Sequence, residues 1–109
     1  MRHNVLMFAD NVPNVTTTEL PARVADGWML LDVRTDEEWA EGHIDGALHI
    51  PMDQVPERID EVDDQVLCVC HLGGRSARVT QYLNAHGKQA VNVEGGVQRW
   101  VDEGRPLAQ

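Results

Sequence analysis

Residues 66–76 read Val-Leu-Cys-Val-Cys-His-Leu-Gly-Gly-Arg-Ser. The run that ends at Cys70 is short, apolar and rich in valine, which is typical of a buried β-strand. A loop with two adjacent glycines follows, and a helical pattern begins near Arg75 and continues to His86, with Gly87 as its stop. This stretch therefore predicts a β-strand, a tight loop and an α-helix in succession, with Cys70 where the strand ends.

The alternation of strand and helix continues on both sides of this unit. Residues 29–33 and 90–93 predict buried strands, whereas residues 35–42 and 95–100 predict short helices. Strands that alternate with helices along a chain favour an α/β fold with a mainly parallel sheet. Further short elements are predicted as a helix that begins at residues 16–23, a strand over 46–51 and a helix over 52–59, while residues 1–13 are ambiguous.

Three polar or reactive side chains are predicted at the ends of these strands. They are Asp32, Cys70 and Glu94. In open parallel sheets, ligands bind at the carboxyl ends of the strands. The predicted topology therefore places Cys70 at a site independently of the motif in its loop.

The loop after Cys70 contains the groups that would activate a thiol. Only the thiolate form of cysteine is strongly nucleophilic. The amides of residues 71–76 can turn toward the sulfur, the positive end of the helix dipole faces the loop, and Arg75 adds a fixed charge. Gly73 and Gly74 are expected to supply backbone angles that other residues tolerate poorly. The pattern predicts a cysteine nucleophile in an anion-binding loop.

Cys68 is interpreted differently from Cys70. It lies within the strand, where an unpaired cysteine behaves as a small apolar residue. The two cysteines are too close along an extended strand for an ordinary disulfide, and no Cys or His pair at zinc-like spacing accompanies them. We therefore expect Cys68 to be structural, and we expect no metal and no cofactor.

Composition limits the classes of function. The chain has 109 residues, enough for one domain, and a net charge of −9, which argues against nucleic acids and anionic membranes as partners. No apolar stretch approaches the roughly 20 residues that span a bilayer. No secretory signal pattern opens the chain, and a reactive unpaired thiol suits a reducing compartment. The expected location is the cytoplasm.

Four motifs together resemble the single-domain rhodanese family of sulfurtransferases. They are Leu31-Asp-Val-Arg, Glu41-Gly-His-Ile-Asp-Gly-Ala-Leu-His-Ile-Pro, Cys70-His-Leu-Gly-Gly-Arg-Ser and Val93-Glu-Gly-Gly-Val-Gln-Arg-Trp. The resemblance covers roughly residues 15–104 of a single domain that spans 1–109. It implies a five-stranded, mainly parallel sheet flanked by helices on both faces. It also implies that Cys70 takes a sulfane sulfur from a donor such as thiosulfate and passes it, through a persulfide, to a thiophilic acceptor.

The residues around Cys70 also have expected roles, of which the bracing role of Arg75 is the one that the resemblance implies. Arg75 either helps to place a small anionic donor or braces the loop through its own hydrogen bonds, and Ser76 either donates to the loop or, as we favour, caps the helix. Asp32 is expected to bond to loop amides and Arg34 to pair with a carboxylate, both as support. The residues expected to contact the donor are His71, Leu72, Gly73, Gly74, Arg75 and Ser76.

Loop length separates this chemistry from a related one. Phosphatases related to this fold carry five residues between cysteine and arginine, whereas four separate Cys70 from Arg75 here. A shorter ring of amides suits one sulfur better than a tetrahedral phosphate. Phosphatase or arsenate reductase chemistry remains an alternative. So do a binding or regulatory module without turnover and a persulfide relay to a thiol or a protein acceptor.

Overall fold

The computed structural model describes residues 12–109. The strands are β1 (Asn14–Val15), β2 (Met29–Asp32), β3 (Leu48–His49), β4 (Gln65–Val69) and β5 (Gln89–Val93). The α-helices are α1 (Leu20–Ala25), α2 (Asp36–Glu41), α3 (Gly74–Ala85) and α4 (Gly96–Asp102), and two 3-10 turns cover Met52–Gln54 and Ile59–Glu61. Over the described range, none of the helices combines the length and the apolar character that crossing a membrane requires.

The five strands form one sheet in the order β1-β5-β4-β2-β3, and every neighbouring pair is parallel. The predicted α/β fold and its five-stranded parallel sheet are therefore confirmed. The central strand β4 lies between β2 and β5, with Leu67 in register with Leu30 on one side and Val91 on the other. Strand β1 was not predicted, because a strand of only two residues has too little periodicity to be detected.

Apolar side chains cover both faces of the sheet. Strand β4 alternates, so that Val66 and Cys68 join one buried cluster while Leu67 and Val69 join the other. Helix α3 packs on the first face, and helices α1 and α4 pack on the second. Helix α3 contributes Val79 and Leu83 to the first cluster. Helices α1 and α4 contribute Leu20 and Val97 to the second cluster. Since each face buries its own cluster, the sheet is the middle layer of three.

The local elements mostly follow the sequence signals. The short helix expected over residues 35–42 is α2, and Thr35 caps it in a reciprocal capping box with Glu38. The helix expected over residues 52–59 is wrong, because two separate 3-10 turns occupy this region. Pro56 lies between the two turns and provides no amide hydrogen for a continuous helix.

Candidate active site at the cysteine loop

Cys70 follows β4 directly, and its sulfur lies beneath the loop of residues 71–76. The residue is 1 % exposed and packs with the apolar cluster that contains Cys68 and Val79. On its polar side, the amide of Gly73 donates to Sγ at 3.0 Å, and the Ser76 hydroxyl lies 3.3 Å from the same atom. The thiol therefore has hydrocarbon on one side, and a backbone amide donor and a serine hydroxyl on the other.

The expected ring of amides around the sulfur is smaller than predicted. Within residues 12–109, Gly73 provides the only backbone amide that donates a hydrogen bond to Sγ. The amides of Gly74, Arg75 and Ser76 belong to the first turn of α3, where a helix offers them no internal partner. These amides are available to an anion above the sulfur, at the positive end of the helix dipole.

The two loop glycines differ in backbone conformation. Gly73 has a φ of 114°, a left-handed conformation that side chains rarely adopt, which agrees with the expectation. Gly74 is the first residue of α3, has no positive φ, and has open space where a Cβ would stand. The expectation that Gly74 also needs a special backbone angle is therefore wrong.

The start of α4 holds the loop from the opposite side. The amide of Val97 donates to the carbonyl oxygen of Cys70 at 2.8 Å, and that of Gln98 donates to His71 at 3.0 Å. Gly96 permits this approach, because a Cβ there would lie 2.5 Å from the His71 carbonyl oxygen and nearer still to that of Cys70. The loop backbone is thus fixed by two hydrogen bonds that depend on a glycine.

Arg75 is turned toward α2. Its guanidinium donates to both carboxylate oxygens of Glu38, at 2.7 and 2.9 Å. These hydrogen bonds lower the pKa of Glu38 to about 2, while burial opposes the shift. The bidentate geometry fits the bracing role that we left open for Arg75, since it ties the beginning of α3 to α2.

Ser76 lies inside the site and does not cap α3. The helix begins at Gly74, with Gly73 as a cap that has no side-chain hydrogen bond, so the capping role favoured for Ser76 is wrong. The Ser76 hydroxyl donates to Asn92 Oδ1 at 2.6 Å and also faces the Cys70 sulfur. Sequence reasoning missed Asn92, although a polar residue between Val91 and Val93 in a buried strand was a usable signal.

Asp32 and Arg34 form a buried ion pair beside the loop. Both carboxylate oxygens of Asp32 accept from the Arg34 guanidinium at 2.9–3.0 Å, and the Arg34 backbone amide also donates to Asp32. Arg34 donates further to the carbonyl oxygen of Gly42 at 2.8 Å. Arg34 therefore pairs with a carboxylate as expected. The expected bonds from loop amides to Asp32 are absent from the described part of the chain.

The rim of the site combines polar and apolar groups. Leu72 is 65 % exposed, whereas His71 is half-buried. Beside the loop lies a cleft of about 280 Å³, lined by residues that include Leu72, Gly73, Asn92 and Glu94. Across residues 12–109, His, Cys, Asp and Glu side chains form no cluster of three or more suited to a metal ion.

Cys68 is buried in the first apolar cluster, on the same face as Cys70. It is fully buried, and this burial raises the pKa of the Cys68 thiol to about 12. A thiol in that environment remains protonated and unreactive near neutral pH. The structural interpretation of Cys68 agrees with this position.

The family model that describes the rhodanese-like domain matches residues 16–103. The chain belongs to this family. The rhodanese-like domain is 44 % identical over 79 residues to the putative sulfurtransferase YtwF of Bacillus subtilis, covering 71 % of this chain and 77 % of that protein. It is 35 % identical over 101 residues to a sulfurtransferase of Allochromatium vinosum, covering 88 % and 94 % of the two chains.

A solved structure also matches this rhodanese-like domain. The crystal structure of a rhodanese-like domain protein from Staphylococcus aureus superposes with a TM-score of 0.77 at 42 % identity, covering 89 % of this chain and 99 % of that one. Family and fold therefore agree, and the two relatives described above are named a putative sulfurtransferase and a sulfurtransferase.

Proposed function

We propose that this domain transfers sulfane sulfur through a persulfide on Cys70. The observation that carries the proposal is the environment of Sγ, which lies at the end of β4 with the Gly73 amide donating to it and the Ser76 hydroxyl 3.3 Å away. The first-turn amides of α3 and the helix dipole add positive potential at the same place. A thiolate that attacks an anionic sulfur donor needs this combination.

The proposed reaction has two steps, sulfur loading onto Cys70 and sulfur transfer to an acceptor. The Cys70 thiolate attacks the outer sulfur of thiosulfate, the S–S bond of the donor breaks, and sulfite leaves with the bonding electron pair. Cys70 then carries one extra sulfur as a persulfide anion. A thiophilic acceptor attacks that outer sulfur and regenerates the thiolate, which predicts ping-pong kinetics.

The arginine supports sulfur transfer over phosphate chemistry. A guanidinium that binds a phosphate has to turn its nitrogens to the phosphate oxygens, whereas both terminal nitrogens of Arg75 bond to Glu38. The loop also has one residue fewer than in the phosphatases related to this fold. A sulfite leaving group needs no general acid, so the absence of an assigned acid is no obstacle to the transfer.

The acceptor is a small thiol or a protein thiol. Leu72 presents an apolar side chain, 65 % exposed, directly beside the loop that holds the sulfur. Such a residue can contact a protein acceptor at the rim while the persulfide is attacked. A domain with a reactive unpaired thiol suits a reducing compartment such as the cytoplasm.

The test is intact mass measurement after incubation with thiosulfate, mercaptopyruvate or a polysulfide. We expect a gain equal to one sulfur atom that a reducing agent removes. Cys70→Ser should gain nothing, while the matched variant Cys68→Ala should gain sulfur as the wild type does. A wild-type protein that gains no sulfur from any of these donors contradicts the proposal, and hydrolysis of an aryl phosphate would favour the phosphatase instead.

A further inference from the structure

A chain of side-chain hydrogen bonds runs from the edge of the sheet to the Cys70 sulfur. Asn14 Nδ2 donates to the carbonyl oxygen of Val12 at 3.0 Å, which leaves its Oδ1 to accept from Asn92 Nδ2 at 2.9 Å. Asn92 therefore turns its own Oδ1 toward α3, where it accepts from Ser76 at 2.6 Å. The parallel register that pairs Asn14 with Asn92 keeps the two amides together.

The direction of these hydrogen bonds decides which acceptor receives the Ser76 hydroxyl hydrogen. A serine hydroxyl has one hydrogen to donate and two lone pairs. Three acceptors surround it: Asn92 Oδ1 at 2.6 Å, Cys70 Sγ at 3.3 Å and the Gly73 carbonyl oxygen at 3.3 Å. The shortest contact is to Asn92, so in the resting site the Ser76 hydrogen lies on that bond. Ser76 then presents a lone pair to the sulfur, and this arrangement suits a protonated thiol.

Ionisation of Cys70 requires this arrangement to change. A thiolate can only accept, so the Ser76 hydrogen must rotate from Asn92 to the sulfur. Asn92 is 5 % exposed, and its Oδ1 would then lose its donor in a buried place. A buried acceptor without a partner is unfavourable, so the Asn92 amide opposes the thiolate. A persulfide places its charge on the outer sulfur, which leaves Ser76 free to donate to Asn92 again.

We infer that Asn92 is a positioning residue that draws the Ser76 hydrogen away from Cys70 and so favours the two states, thiol and persulfide, in which Sγ carries no charge. This control of the thiol is independent of any sulfur donor. Only its effect on persulfide loading rests on the proposed sulfur transfer.

Other charged or titratable groups also act on Cys70 and must be kept constant. Arg75 from α3 and Cys68 from β4 interact electrostatically with Cys70. Arg75 is paired with Glu38 of α2 and also interacts electrostatically with Asp32 of β2. Cys68 is the register partner of Asn92 in the sheet, so the test uses a background that lacks the Cys68 thiol. The hydrogen bonds of Arg75, Glu38 and Asp32 do not include Asn92 in the described structure, so substitution of Asn92 leaves these three groups in place.

The test is the pH dependence of Cys70 alkylation by iodoacetamide in a Cys68→Ala background, where one thiol remains. Asn92→Leu frees the Ser76 hydrogen for the sulfur, and we expect the midpoint of the rate profile to fall by about 0.5–1 pH unit. Asn92→Asp places a stronger acceptor beside Ser76 and should raise the midpoint. With Ser76→Ala added, Asn92→Leu should cause no further shift.

The matched control is Asn84→Leu. The Asn84 side chain of α3 makes two hydrogen bonds to the backbone of Ala90 in β5. Asn84 is therefore an asparagine bonded to the same strand as Asn92, but without a contact to Cys70 or Ser76. Its replacement should leave the midpoint unchanged. If Asn92→Leu does not fold, Asn14→Ala at the exposed edge loosens the same amide and should lower the midpoint by a smaller amount.

An unchanged or raised midpoint in Asn92→Leu, or an equal shift in Asn84→Leu, overturns the inference. The alkylation measurement needs no sulfur donor, so it tests the role of Asn92 independently of the mass measurement that tests for a persulfide. Shifted profiles in a protein that never gains sulfur would sustain the role of Asn92 and reject the proposed transfer. Where both hold, Asn92→Leu should reduce equilibrium persulfide loading about three- to ten-fold above the midpoint pH.

Discussion

Arg75 and Glu38 join two helices through a bidentate ion pair, with guanidinium to carboxylate distances of 2.7 and 2.9 Å. Glu38 also serves as the acidic member of the α2 capping box with Thr35. One carboxylate therefore stabilises the start of α2 and fixes the first turn of α3 beside Cys70. The pair is partly buried, with side-chain exposures of 34 % and 28 %.

Glu38 should make the stability of the domain depend on acid. The pKa of Glu38 is lowered to about 2, first by the Arg75 hydrogen bonds, so its contribution is complete above the ordinary value near 4.5 and is lost as the pH falls toward 2. We expect the free energy of unfolding to fall by on the order of 1 kcal/mol more in wild type than in Glu38→Gln between pH 5 and 2.5, after allowance for solvent screening.

Urea unfolding at both pH values measures this difference. Glu37→Gln is the matched control, because Glu37 lies in the same turn of α2 and is exposed. Its replacement should leave the acid dependence close to that of wild type. Equal acid dependence in Glu38→Gln and wild type would reject the stabilising role of the pair.

Arg75 and Glu38 should affect sulfur loading as one unit. If Arg75 braces the loop, Arg75→Ala and Glu38→Ala should slow persulfide formation from thiosulfate by similar factors. The double variant should then be little slower than either single variant, because both remove the same contact. Single-turnover loading followed by mass measurement gives the three rates. A much larger loss in Arg75→Ala than in Glu38→Ala would instead indicate direct contact with the donor.

Gly96→Ala should disrupt the loop by steric overlap. The added Cβ would meet the carbonyl oxygens of Cys70 and His71, and φ at this residue is +62°. We expect a loss of about 3 kcal/mol in the free energy of unfolding, from combined crowding and backbone strain.

Gly104→Ala separates these two causes. Its φ is +80°, but nothing lies within 4 Å of the added Cβ, so only the backbone strain of about 1 kcal/mol is expected. Chemical denaturation compares the two variants. Equal losses would show that the approach of α4 to the loop is not limited by side-chain volume.

Cys68 should resist modification while the domain is folded. Burial raises the pKa of the Cys68 thiol to about 12. With limiting iodoacetamide near pH 8, we expect the label on Cys70, and both thiols should react after denaturation. Peptide mass mapping identifies the labelled cysteine. Labelling of Cys68 ahead of Cys70 in the native protein would contradict the assigned difference.

Much of the fold follows from short-range sequence patterns. The run that ends at Cys70, the adjacent glycines and the helix after them appear in the structure as β4, the loop and α3. The short helix predicted over residues 35–42 is present as α2. The helix over 52–59 fails because propensity and periodicity over so short a segment do not overcome the interruption at Pro56.

The remaining details of the site depend on contacts between distant parts of the chain. The helix-capping role for Ser76 fails because α3 begins two residues earlier, at Gly74, and the hydroxyl is directed into the site. Asn92 lies opposite Ser76 because β5 is the sheet neighbour of β4, and this strand order is not encoded in the local pattern.

The sequence alone determined most of the succession of strands and helices, and the position of Cys70 at a strand end, because hydrophobic period, capping and glycine placement act between near neighbours. Only the tertiary structure decided which groups meet the loop. Arg75 and Glu38 are 37 residues apart, and Ser76 and Asn92 are 16 apart. Such pairs form where packing brings separate elements together, so their geometry follows from the arrangement of the whole sheet and its helices.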